Sequence, residues 1–106
     1  MNEVSLIKSS YSLIRKDFGL EDDLGFEEAQ FSIDWLKGAV TERVRYLLDH
    51  DFNRLLNALY RIDIPEEEVK KALQLPKYEV LLSVLVDLII ERQKQKAITR
   101  LKYRQG

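Results

Sequence analysis

The chain contains no cysteine and a single histidine, His50. This removes disulfides, thiolate nucleophiles and cysteine-type zinc sites, leaving carboxylate-bound magnesium or calcium as the only ions its side chains suit. Neither ion has its usual motif here. Four glycines and two prolines are too few to punctuate the short strands of a β-sandwich. Gly19, Gly25, Gly38 and Gly106 are isolated, so no glycine-rich phosphate loop is present, nor a serine elbow or a pair of acids at a strand end. No cofactor is expected. The longest apolar run, Val80 to Ile90, spans eleven residues and is interrupted by Ser83 and Asp87. A membrane helix needs roughly 20. Met1 to Ser10 is polar at Asn2, Glu3, Lys8, Ser9 and Ser10, unlike the apolar core of a signal peptide. A cytoplasmic protein with no membrane contact is the expectation.

What the chain has in quantity is helix formers. Apolar residues make up 45% and charged residues 33%, with a net charge of -1, a balance that gives no strong bias toward an acidic or basic partner. A length of 106 residues leaves no room for a second core. These totals predict one all-α domain over 1–106, a compact bundle of four to five helices with a long C-terminal helix. No internal repeat or low-complexity segment is found.

Val4, Ile7, Tyr11, Ile14 and Phe18 recur at steps of three and four and define one face of a first helix, stopped by Gly19. From Asp17 to Asp34 there are seven acids and no base, and residues 20–31 read as an acidic connector. Ser32 is a good N-cap, with Phe31 and Leu36 at the positions of a hydrophobic staple. The helix it starts has the apolar face Leu36, Val40, Val44, Leu47 and Leu48, which continues as Phe52, Leu55, Leu56 and Leu59. Between them Asp49-His50-Asp51 is weakly helical and Asp51 is a good cap. One bent helix fits, and two consecutive helices fit better. Trp35, Tyr46, Phe52 and Tyr60 lie at or beside these faces and are assigned to the core.

Asp63-Ile64-Pro65-Glu66 has capping-box spacing, with proline in the first turn and Glu67 and Glu68 near the positive helix end. Glu66–Lys70 and Glu67–Lys71 are spaced to pair along that helix, which ends near Leu75-Pro76. From Lys77 to Tyr103 nothing breaks a helix, and alternation of the kind a strand requires is missing. Glu79, Ser83, Asp87 and Glu91, four apart, form one narrow polar stripe on an otherwise apolar cylinder. This places Asp87 at a solvated edge rather than in the core.

Three features bear on function. The apolar cylinder offers Tyr78, Leu81, Leu82, Leu85 and Ile89 as a surface for a partner protein or a second copy. The end of the same helix, 92–106, carries six cations after Glu91 and no acid, with Arg92, Lys96, Arg100 and Arg104 in a four-residue ladder. An anionic partner such as nucleic acid would relieve their repulsion, although cations at a helix C-terminus also need no partner beyond the dipole. The ladder is expected to project from the body, with Ala97, Ile98 and Leu101 still touching it. Asp49, His50 and Asp51 alone bring imidazole and carboxylates together. They converge on one point only if the chain turns there, and the simpler reading is a polar helix junction.

The strings Tyr46-Leu47-Leu48-Asp49-His50-Asp51-Phe52, Leu59-Tyr60-Arg61-Ile62-Asp63 and Asp87-Leu88-Ile89-Ile90-Glu91-Arg92-Gln93 resemble a family of small helical proteins of Bacteroidetes bacteria. The resemblance covers residues 41–104. It implies a bacterial, cytoplasmic setting, and because no activity is assigned to that family it implies no site residues. The ranking that follows is a non-enzymatic protein interaction module, homodimeric through the Tyr78 to Ile90 surface, then a nucleic-acid-binding protein, then an enzyme around Asp49-His50-Asp51.

Overall fold

The computed structural model describes residues 6, 9–13 and 33–105. Within them the chain is helical: α1 (Ile33–His50), α2 (Phe52–Arg61), α3 (Glu66–Leu73) and α4 (Tyr78–Gln105), preceded by helical residues 9–13. The all-α bundle and its long last helix are as the sequence predicts. Of the first helix's apolar face, Tyr11 is buried and meets Trp35 edge-on, with ring centroids 5.3 Å apart. The Gly19 stop, the 20–31 connector, the Ser32 cap and the Phe31 half of the staple lie outside the described residues.

α4 is 28 residues long, about 42 Å at the helical rise, and the protein's longest dimension is 42 Å. It is a single rod running the length of the molecule. Leu82, Leu85, Val86, Ile89 and Ile90 are buried along it, while Glu79, Ser83, Asp87 and Glu91 stay exposed. α1 lies antiparallel on this rod. Its Leu36, Val40, Val44 and Leu47, at steps of four, four and three, are buried in the same core. Lys37 meets Asp87 at 3.5 Å and Arg45 meets Glu79 at 3.0 Å, so the two charge pairs mark the alignment from opposite ends. Both pairs are well exposed, and pairs of that kind contribute little and weaken with salt. The apolar contacts hold the two helices.

Two helices, not one bent helix, occupy 33–61. Asp51 leaves helical geometry (φ -153°, ψ 73°), and its carboxylate accepts from the Arg54 N–H at 3.2 Å. Its own N–H still donates to Leu47 O at 2.9 Å, and its carbonyl accepts from Leu55 N–H at 3.2 Å. The chain turns with both backbone groups of Asp51 still bonded, and the apolar face carries across the turn to Leu55, Leu59 and Ile62.

The end of α2 differs from the expectation. Asp63 is not the cap of α3; it is the left-handed residue that closes α2, with φ 67°. Its N–H donates to Tyr60 O at 3.1 Å and the Ile64 N–H donates to Leu59 O at 3.3 Å, the bond pair of a Schellman ending. Leu59 and Ile64, the residues such an ending brings together, are both in the core. α3 is instead capped by Pro65, two positions after the expected cap, with no side-chain cap bond. Glu66, Glu67 and Glu68 face its positive end. Lys70 pairs with Glu66 at 3.5 Å, whereas Glu67 and Lys71 form no ion pair with each other or with any other described residue. α3 lays Val69 and Ala72 into the core beside α4.

The cationic part of α4 does not simply project. Gln93 and Ala97 are fully buried. Arg92 Nε donates to Ile62 O at 3.2 Å, and its guanidinium lies 3.5 Å from the Asp63 carboxylate. Lys96 Nζ donates to Arg61 O at 3.3 Å. These are carbonyls at the negative end of α2, where cations are favoured, so the ladder's first half is spent inside the fold.

Two substitutions test this account. Ile89→Ala should lower stability by about 2–5 kcal/mol through the cavity it opens. Asp63→Gly should raise it by about 1 kcal/mol, because glycine adopts the left-handed conformation without steric penalty. Urea denaturation reads both, as opposite shifts of the midpoint at constant slope.

Candidate functional site

α2 is ten residues long, too short to be stable alone in water. It is held by Asp51 at its start, by the Schellman ending and the Arg92 and Lys96 cations at its finish, and by Leu55, Ala58 and Leu59 beneath. Its outer side is therefore rigid. At about 100° per residue, Phe52, Leu56 and Tyr60 fall on one flank, Asn53 and Asn57 in the middle, and Arg54 and Arg61 on the other. All but the half-buried Leu56 are exposed. Phe52 is 41% and Tyr60 54% exposed. The helix contains no acidic residue.

The assignment of four aromatics to the core is thus corrected. Trp35 packs against the core, but Phe52, Tyr60 and Tyr46 (52% exposed) do not. Steps of four overshoot the helical repeat by about 40° each, so Phe52, Leu56 and Tyr60 wind away from the Leu55–Leu59 face. Tyr46 stands 100° from Leu47 and 200° from Val44. The same arithmetic was available in the sequence, as was the absence of acids from 52–61.

The surface expected on α4 is also corrected. Leu82, Leu85 and Ile89 are buried within this chain and Leu81 is half-buried, because α1 and α3 of the same molecule cover that face. Tyr78 alone is exposed, and it is engaged: its hydroxyl donates to Asp49 Oδ1 at 3.1 Å, and the Arg45 guanidinium sits 5.9 Å from its ring centroid. Desolvation first, and the Asp49 carboxylate second, hold the Tyr78 hydroxyl above the ordinary phenol value of 10.0. The Arg45 guanidinium is raised by its hydrogen bond to Glu79.

The Asp49-His50-Asp51 triplet does not converge. Asp49 accepts from Tyr78, Asp51 caps α2, and the His50 ring packs on Tyr46 at 4.7 Å between centroids. No group of three or more histidine or acidic side chains among the described residues is placed to hold a metal ion. Two open clefts lie elsewhere. One, of about 280 Å³ between α1 and α4, is crossed by the Lys37–Asp87 pair. The other, of about 570 Å³, runs from Asp63 and Glu68 to Glu91 and Arg92. There the Arg92 donors are taken up by Ile62 O, Asp63 and Gln95. Of the anion-binding ladder, Arg92 and Lys96 are engaged within the chain and Arg100 is exposed. The Arg104 side chain lies outside the described residues.

Compared with known protein families, curated proteins and solved structures, the chain matches none.

The Tyr78 contact carries a pH dependence. A tyrosine whose folded value is raised stabilises the fold fully below its unfolded value and loses that contribution as pH rises through the folded one. Ultraviolet titration should show a tyrosine phase later than that of a free phenol. Asp49→Asn should bring that phase down, since it removes the neighbouring negative charge; an unchanged late phase would assign it to another residue.

Proposed function

We propose that the chain is a small, non-enzymatic protein–protein interaction module that meets its partner with the outer side of α2. One observation carries this: a helix fixed at both ends and from beneath turns Phe52, Tyr60, Arg54 and Arg61 to solvent. Exposed aromatics and arginine are the residue types that dominate binding hot spots, and a pre-set helix face avoids much of the ordering cost of association. The resemblance of 41–104 to small helical bacterial proteins supports a bacterial cytoplasmic setting. No helix among the described residues is long and apolar enough to cross a membrane.

A second copy of the chain is one partner this face admits. Nucleic-acid binding through the α4 ladder has less support, since two of its four cations already satisfy α2 carbonyls. An enzyme centred on Asp49, His50 and Asp51 has less still, because the three side chains serve three separate structural contacts.

Capture from the native cell with the wild-type chain and with F52A/Y60A, followed by mass measurement, tests the reading. Both side chains are exposed, so the double variant should keep its helical circular dichroism. Each loss at a hot spot is worth about 2 kcal/mol or more, so a protein held by the wild type should be absent from the variant. A partner retained equally by both would remove α2 from the interface. Light scattering identifies self-association as a mass of two chains that falls to one in the variant.

A further inference from the structure

Pairing is common among the surface charges of this chain. Lys37 meets Asp87, Arg45 meets Glu79, Lys70 meets Glu66 and Lys94 meets Glu91. It is not universal: Lys71, Lys77 and Lys102 are exposed without an ion pair to any described residue, and so is one flank of α2 with its neighbour on α4. Arg54 and Arg61 of α2 and Arg100 of α4 are exposed and form no ion pair with any described residue. The Lys96 bond to Arg61 O brings α4 against the last turn of α2. Lys96 and Arg100, four apart, lie on one face of α4, so Arg100 stands one turn beyond the point where α4 meets the end of α2. The two acids that flank α2 are engaged: Asp51 accepts from the Arg54 backbone N–H and Asp63 is met by Arg92.

We infer that the partner of α2 presents an acidic segment: carboxylates placed for Arg54, Arg61 and Arg100, with apolar side chains for Phe52, Leu56 and Tyr60. This rests on the α2 interface proposed above and adds the chemistry of what binds there. Three guanidiniums with free donors recognise carboxylates in a fixed planar geometry, which sets orientation as well as attraction. Nucleic acid is the weaker match. Arg92 and Lys96, which would extend the cationic surface along a phosphate backbone, already serve Ile62 O, Asp63 and Arg61 O within the chain.

The test is an NMR titration of the isotope-labelled chain with a synthetic glutamate-rich peptide carrying one phenylalanine. Amide shifts should centre on residues 52–61 and 96–100. R54Q/R61Q/R100Q should weaken binding about tenfold, as expected for three exposed ion pairs. K71Q/K77Q/K102Q, with the same change in net charge, should leave it unaltered. Equal weakening in both triple variants, or shifts centred on other helices, overturns the inference. So does a single-stranded oligonucleotide that perturbs the same residues and binds more tightly than the peptide. If the acidic peptide fails while the captured protein is still lost in F52A/Y60A, the acidic partner falls and the α2 interface stands. If neither variant pair changes anything, both fall.

Discussion

Between Val80 and Ile90 the chain places more apolar side chains than one helix face can turn inward, and burying them is the constraint from which the rest of the fold follows. α1 takes one flank of α4 and α3 another, so Leu82, Leu85, Ile89 and Ile90 meet neighbours from the same molecule. Fully burying a leucine or isoleucine is worth about 1.5–3 kcal/mol each, far more than the exposed charge pairs running alongside. Glu79, Ser83, Asp87 and Glu91 occupy the strip left uncovered, and two of them are matched by Lys37 and Arg45 of α1.

With that face closed, the place where the surface is least settled moves to α2. The helix is short, and its stability is borrowed from its ends. Asp51 satisfies an amide at one end, while the carbonyls at the other meet a Schellman turn, Arg92 and Lys96. The same cations were the motive for expecting a nucleic-acid surface. Their engagement with α2 redirects attention from α4 to the helix they steady. Asp63 belongs to this arrangement: it takes a backbone conformation unusual for a residue with a Cβ and places its carboxylate beside Arg92.

The exposed aromatics are the feature least consistent with a chain whose work ends at folding. Tyr46 has His50 against its ring and Tyr78 has Asp49 and Arg45, so each has contacts that account for its position. Phe52 and Tyr60 have no ring, cation–π or side-chain hydrogen-bond contact with a described residue, and α2, unlike α1, α3 and α4, carries no acid. Rigid backbone, aromatic rings and unpaired arginines together are why α2, rather than either open cleft, is the candidate site.

The amino-acid pattern alone determined the helical class, the break at Asp51, the unbroken rod after Pro76 and the polar stripe through Asp87. These follow from local spacing and cap chemistry, which a helix cannot evade whatever surrounds it. Tertiary structure decided which apolar and charged faces were still free. Leu82, Leu85 and Ile89 read as available because periodicity says that a face is apolar, not which helix covers it. Arg92 and Lys96 read as free because their acceptors are backbone carbonyls some 30 residues earlier, groups that every residue carries and no side-chain pattern reveals. Asp63 read as a cap for the helix after it, since its left-handed backbone is set by the packing of Leu59 and Ile64 into a core that only the assembled bundle creates.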